Sequence, residues 1–99
     1  MIGMEQHHWR IVQEILKKYP YTFYAYGSRA KGTQRPTSDL DICFMGSIPY
    51  AVQAHIEEDF EESDLPFTVE VADFNLMPED FKRTISKDLV LIQQGNDIA

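Results

Sequence analysis

An α+β or α/β fold with a small sheet is predicted by three features of the 99-residue sequence. Helical and extended segments follow one another in the order α, β, β, α, β, α, without an internal repeat or a linker. The length suits one compact domain, so residues 1–99 are expected to form a single domain. The composition, 43% hydrophobic and 25% charged, is typical of a globular chain.

The first half of the chain predicts one helix and two strands. Apolar residues at helical spacing indicate an amphipathic helix over residues 4–18. The aromatic run at 21–26 is typical of a buried strand that ends in a tight turn at Gly27 and Ser28. After a polar loop, residues 40–45 are expected to form a second strand, apolar on both faces beyond its first carboxylates.

The second half predicts two helices and a third strand. A helix suits residues 50–61, and the alternating run at 67–74 is typical of a strand with one buried face. Proline followed by two acids is the signature of a helix start, which indicates a helix over residues 78–87. Residues 88–93 are interpreted as a short strand or an extended tail.

The charge balance limits the ligands of the protein. Nine basic and sixteen acidic residues give a formal net charge of −7. A surface with this balance cannot wrap long DNA or RNA by neutralising phosphates, so no direct contact with long nucleic acid is expected. An acidic protein that handles phosphates usually needs bound divalent metal to reverse the field in its site.

The cysteine content and hydropathy favour a cytoplasmic location. Cys43 is the single cysteine of the sequence, so an internal disulfide is impossible and a reducing compartment is expected. The N-terminal residues lack the apolar stretch of a signal peptide, and no window approaches 18 apolar residues. A soluble protein without membrane contact is therefore expected.

The residues that carry chemistry are concentrated between Gly27 and Asp41. A Gly-Ser pair is followed, after ten residues, by Asp-Leu-Asp. Two aspartates at positions i and i+2 of a strand point to the same face, where Asp39 and Asp41 can share two divalent cations. Gly27 permits close approach of the backbone, and Ser28 offers N–H and hydroxyl donors to phosphates. The spacing indicates phosphoryl-type transfer.

The stretch YGSRAKGTQRPTSDLDI at 26–42 resembles the DNA polymerase β-like nucleotidyltransferase superfamily, and within it the minimal nucleotidyltransferases. The resemblance implies a short mixed sheet backed by helices, with the active site on the sheet face that the helices leave open. It also implies transfer of a nucleoside monophosphate, AMP from ATP in our interpretation, to a hydroxyl with the help of two magnesium ions.

The resemblance also assigns roles to individual residues. Asp39 and Asp41 become catalytic metal ligands. The residues that would bind the nucleotide are Gly27, Ser28, Arg29, Lys31 and Ser38. Arg29 and Lys31 are the basic residues of this set, and an ordinary solvated surface is the alternative interpretation for both.

The family's third carboxylate has two candidates in this sequence, Glu70 and Asp73. Val69 and Val71 must face the helices, so Glu70 points to the opposite face, where Asp39 and Asp41 also have to point. Asp73 shares the parity of the valines. Glu70 is therefore predicted as the third metal ligand and catalytic carboxylate, although the family more often uses aspartate.

The partner is inferred from the same resemblance. Minimal nucleotidyltransferases commonly act as antitoxins of HEPN-domain ribonuclease toxins, in some cases by attaching AMP to a tyrosine of the toxin. The acidic run at 57–64 is either a solvated helix end or a docking site for a basic partner. Two alternatives remain open: transfer to a small molecule such as an aminoglycoside, and a binding-only antitoxin without turnover.

Overall fold

A computed structural model describes residues 2–96 of the chain and contains the predicted elements in the predicted order. Their bounds are α1 (Gln6–Leu16), β1 (Phe23–Tyr26), α2 (Ser28–Lys31), β2 (Leu40–Phe44), α3 (Tyr50–Glu61), β3 (Val69–Asp73), a 3-10 turn (Phe74–Leu76), α4 (Glu79–Ser86) and β4 (Val90–Gln93). Of the two interpretations of residues 88–93, the short strand is confirmed, as β4. Over the described range, no helix combines the length and the apolar character needed to cross a membrane.

The four strands form one mixed sheet in the order β3-β2-β1-β4. β1 pairs antiparallel with both β2 and β4, whereas β2 and β3 run parallel. The α+β fold with a small mixed sheet is therefore confirmed. The parallel pair requires a crossover, which α3 provides between β2 and β3.

One face of the sheet carries the main core and packs against α1 and α3. Alternate strand residues point into it, as the period of two requires. The strand members are Phe23, Ala25, Leu40, Ile42, Phe44, Val69 and Val71, and the helices add Val12, Ile15, Leu16, Ile56 and Phe60. Full burial of one such large aliphatic or aromatic side chain stabilises the fold by ~1.5–3 kcal/mol. This face holds the fold together.

The opposite face is only partly covered. A smaller apolar cluster joins Tyr26 and Cys43 of the sheet to Ile85 of α4. The expectation that the helices leave this face open therefore needs a correction, because α4 lies over part of it. Burial raises the pKa of the Cys43 thiol to about 12, so this cysteine is a packed side chain and not a nucleophile.

The short helix α2 was expected to be loop. It begins at Ser28, and its cap residue Gly32 takes the left-handed conformation, with φ of 77°. A four-residue helix offers too few positions for a hydrophobic period to show in the sequence. The turn it makes places residues 28–31 beside the first strand.

Candidate active site

Strand pairing brings two predicted carboxylates together. Asp41 of β2 lies directly opposite Glu70 of β3 in the parallel ladder. Val69 and Val71 are buried on the helix side, while Glu70 is exposed on the other side. The predicted parity of β3 is thus confirmed, and Asp41 and Glu70 share one face of the sheet.

The competing carboxylate, Asp73, lies elsewhere. It pairs with Phe44 at the far end of β3. Its Oδ1 accepts a hydrogen bond of 2.9 Å from the backbone N–H of Asn75, which caps the 3-10 turn. Asp73 therefore has a structural partner and is separated from Asp41 along the strand.

Asp41 and Glu70 interact strongly. The pKa of Asp41 is raised to about 6, chiefly by burial, and in smaller part by the charge of Glu70, a side-chain hydrogen bond with Glu70 and the charge of Asp39. Because like charges at short range resist joint ionisation, this group of carboxylates has a surplus of negative charge at neutral pH. A bound cation would relieve that surplus.

Gly27 lies against the same carboxylate. Its φ of 77° falls in the region that favours glycine, and a Cβ at this position would stand 2.5 Å from Oδ2 of Asp41. No other residue fits without a shift of Asp41. The backbone at the start of α2 is therefore in close contact with the carboxylate pair, as the sequence predicts for a glycine beside a phosphate site.

Asp39 precedes β2, and its side chain is exposed. Asp39 and Glu70 line the same groove, which has a volume of about 520 Å³. Glu57 and Glu61 of α3 line it as well, so part of the acidic run borders the candidate site. Asp41 is not among the residues that line this groove.

The carboxylates fit a divalent cation in type and charge but are not yet gathered around one. Across residues 2–96, no three histidine, cysteine, aspartate or glutamate side chains already form an arrangement that would hold a metal ion. Asp41 and Glu70 are in contact, whereas Asp39 is exposed two residues before Asp41. Hard oxygen donors of this kind suit Mg²⁺.

Arg29 occupies a different place from the one predicted. It is 3% exposed, and its guanidinium donates to backbone carbonyl oxygens, including Ser38 O at 2.9 Å and Gly3 O at 2.7 Å. A guanidinium committed in this way does not face a triphosphate. The geometry therefore does not support direct phosphate contact by Arg29 and gives it a structural role.

The other three predicted nucleotide-binding residues differ in availability. Ser28 begins α2 next to Gly27. Ser38 Oγ accepts a hydrogen bond of 2.8 Å from the N–H of Arg35, so this hydroxyl closes a turn. Lys31 Nζ lies 3.8 Å from Asp88, and its side chain is half exposed. Of the basic residues predicted here, Lys31 is the one that an anion can reach.

Tyr26 belongs to the site but was missed as a functional candidate. It pairs with Asp41 from the opposite side to Glu70. Burial raises the pKa of Tyr26 to about 12, with smaller contributions from Asp41, Cys43 and Glu70. The phenol therefore stays protonated and polar beside the carboxylates. The sequence signal that could have identified Tyr26 is its position directly before Gly27.

A small mixed sheet with adjacent carboxylates on one face, beside a glycine turn, defines an enzyme of phosphoryl-type transfer. Comparison with known protein families identifies the kind of enzyme. A family model described as "Polymerase beta, Nucleotidyltransferase" matches residues 11–97. The chain belongs to the polymerase beta nucleotidyltransferase family, as a minimal nucleotidyltransferase.

Two individual proteins are similar to the chain. A protein of Haemophilus influenzae named "Probable protein adenylyltransferase MntA" is 39% identical over 88 residues, which cover 85% of this chain and 77% of that protein. A crystal structure of a toxin-antitoxin with AMP-PNP contains a chain that superposes with a TM-score of 0.67. That match has 16% identity and covers 89% of this chain and 74% of the other, so it shows the shared fold alone.

Proposed function

We propose that this chain transfers AMP from ATP to a tyrosine hydroxyl of a HEPN-domain ribonuclease toxin and thereby acts as its antitoxin. The observation that carries the proposal is the contact between Asp41 and Glu70, with Gly27 packed on Asp41 and Asp39 two residues upstream. The 39% identical relative named as a protein adenylyltransferase supports AMP transfer to a protein.

Asp39, Asp41 and Glu70 would hold two Mg²⁺ ions. When bound, these ions neutralise the triphosphate and the departing pyrophosphate. Gly27 leaves room for the phosphates to approach the backbone, and Ser28 contributes its N–H and hydroxyl beside them. Lys31 is half exposed on α2 and would add positive charge there.

The chain's own carboxylates would also handle the acceptor proton. The acceptor oxygen forms a bond to the α-phosphorus, the bond from that phosphorus to the bridging oxygen breaks, and pyrophosphate leaves. The acceptor proton passes to a carboxylate oxygen of Glu70, which is exposed at the groove and so lies within reach of an incoming hydroxyl. Asp41 is half-buried and less accessible.

The acidic border of the groove favours a basic surface on the partner. Glu57 and Glu61 line the groove together with Asp39 and Glu70. A ribonuclease handles a polyanion, so a basic surface is expected on a toxin of this class. Exposed charges of this kind act on the association rate more than on the residence time, so association should slow as salt increases.

Intact-mass spectrometry of the toxin tests the proposal. The chain is incubated with ATP, Mg²⁺ and the product of its neighbouring gene, which the proposal expects to be a HEPN toxin. The expected product is a toxin heavier by one AMP, with the modification on a tyrosine. The Asp39→Asn/Asp41→Asn variant should give no product, and Asp73→Asn, which alters a carboxylate outside the site, should still give it.

Two results would replace the proposal by an alternative. Relief of toxicity by the double aspartate variant, without AMP on the toxin in any sample, would indicate a binding-only antitoxin. AMP transfer to an aminoglycoside but not to the toxin would indicate a small-molecule nucleotidyltransferase.

A further inference from the structure

Arg29 lies buried in α2 next to the candidate site, and the nucleotide-binding role predicted for it leaves its contacts unexplained. We propose that Arg29 is a positioning residue, whose guanidinium holds the segment that carries Asp39 against the start of the strand that carries Glu70. The proposal rests on the carboxylate site of the proposed function. We call the guanidinium, its carbonyl acceptors and the ring of Phe67 the Arg29 clamp.

The first half of the clamp is a set of hydrogen bonds to the loop before β2. Nε donates to Ser38 O at 2.9 Å, and Nη2 donates to Pro36 O at 3.2 Å, with a longer contact of 3.5 Å to Arg35 O. Ser38 is the residue before Asp39. The guanidinium therefore fixes the backbone from which the Asp39 side chain projects.

The second half of the clamp reaches Phe67, two residues before β3. The Cζ atom of Arg29 lies 3.9 Å from the centroid of the Phe67 ring, close enough for a cation–π contact. Phe67 is buried three residues before Glu70. The backbone N–H of Leu40 also donates to Thr68 O at 2.9 Å, so the two segments meet at this point. One side chain thus contacts both carboxylate-bearing segments.

Only a guanidinium can make these contacts together. It presents five N–H donors in a planar fork with faces that stack, whereas a lysine ammonium is a point charge on a flexible stem. Burial lowers the pKa of Arg29, and the charge of Asp39 opposes this. A buried charge is costly unless its donors are satisfied, and the carbonyl groups of Gly3, Pro36 and Ser38 accept from the guanidinium here.

The test compares Arg29→Lys with wild type, using Mn²⁺ as the probe. Mn²⁺ binding is measured by electron paramagnetic resonance, and backbone amide exchange by NMR. We expect the Mn²⁺ Kd to rise at least ~10-fold, as is typical when a residue that orients metal ligands is altered. The amides of Ser38 and Leu40 should exchange at least ~10-fold faster, while Ile42 within β2 should change less.

Arg35→Lys is the matched control, because Arg35 is exposed on the same loop. It should leave both the Mn²⁺ affinity and the exchange rates unchanged. If Arg29→Lys does not fold, Phe67→Leu is used instead, because it keeps an apolar side chain but removes the aromatic ring that the guanidinium stacks on. A smaller rise in the Mn²⁺ Kd and a smaller increase in amide exchange are then expected.

Unchanged Mn²⁺ affinity and exchange rates in a folded Arg29→Lys would overturn the proposal. So would weaker metal-free ATP binding with unchanged exchange, since that result would mean direct phosphate contact. If the wild-type chain itself bound no Mn²⁺, the carboxylate site of the proposed function would fail. A failure of the clamp alone would appear as normal Mn²⁺ binding and normal exchange in the variant.

Discussion

The two faces of the sheet are built from alternate residues of the same strands and have opposite effects on stability. On the helix side, Leu40 and Ile42 have no exposed surface, and Val71 is 5% exposed. On the other side lie Asp41 and Glu70, which alternate along the strands with these buried residues. Their side chains are in contact and carry like charges. The first face stabilises the fold by burial, and the second concentrates charge at a cost in stability. Substitutions on the two faces should therefore change different properties.

The largest effect is expected on the charged face. Asp39→Asn together with Asp41→Asn should lower nucleotide transfer by at least ~10³-fold, because the carboxylates that would hold the cations are removed. The melting temperature of the metal-free protein should stay the same or rise, since repulsion is relieved. Transfer is measured with labelled ATP, and unfolding by circular dichroism. An unfolded double variant would mean that the aspartates are structural.

The next largest effect is expected on the helix face. Ile42→Ala should lower the free energy of unfolding by ~2–5 kcal/mol, because a fully buried side chain leaves a cavity. Glu70→Gln, on the neighbouring strand but the charged face, should change it by less than ~0.5 kcal/mol. Urea denaturation of both variants measures the difference. Equal losses would mean that the two faces do not differ in the proposed way.

A smaller effect is expected at the glycine that touches Asp41. Gly27→Ala should destabilise the fold by ~1–2 kcal/mol through backbone strain, and further through the contact with Oδ2 of Asp41. Gly32→Ala is the comparison, because Gly32 has the same φ of 77° and nothing within 4 Å of its added Cβ, although its ψ of 18° lies in the left-handed helical region and the ψ of Gly27 is −161°. Equal losses in urea denaturation would show that the contact with Asp41 is unimportant.

The smallest effect is a pH dependence of stability. The pKa of Asp41 is raised from 3.8 to about 6 in the folded state, so its contribution is fully present below pH 3.8 and is lost as the pH rises through about 6. With EDTA present, the difference in the free energy of unfolding between wild type and Asp41→Asn should fall by ~1 kcal/mol over this pH range. This figure is discounted because Asp41 is partly exposed to solvent. A flat difference would mean that Asp41 is not perturbed.

The sequence predicted which strand residues point towards α1 and α3, and most of those that point to the opposite, charged face. Both predictions have the same physical reason. Strand side chains alternate, so the valines of β3 fixed the direction of Glu70. The parity of Val69 and Val71 favoured Glu70 over Asp73, and the structure confirms that parity. The α4 contact with Cys43 was not predicted, because an alternation pattern does not show which face a later helix covers.

The contacts of Arg29 were not predicted, for a different reason. The family resemblance implied phosphate contact, but the acceptors of its guanidinium include carbonyl groups of Gly3 and Ser38, which lie 26 and 9 residues away in the chain. Backbone carbonyls leave no trace in a sequence. The burial of a charged side chain therefore became visible only in three dimensions.

A crystal structure with Mn²⁺ and a non-hydrolysable ATP analogue tests the central claim most directly. Anomalous scattering at the manganese edge locates the metal independently of any assumption about its ligands. We expect a peak with carboxylate oxygens of Asp39, Asp41 and Glu70 at distances near ~2.1 Å, as for small divalent cations, on the sheet face away from α1 and α3. A metal bound elsewhere, or a Glu70 carboxylate more than ~8 Å from both aspartates, beyond any shared cation site, would contradict the account.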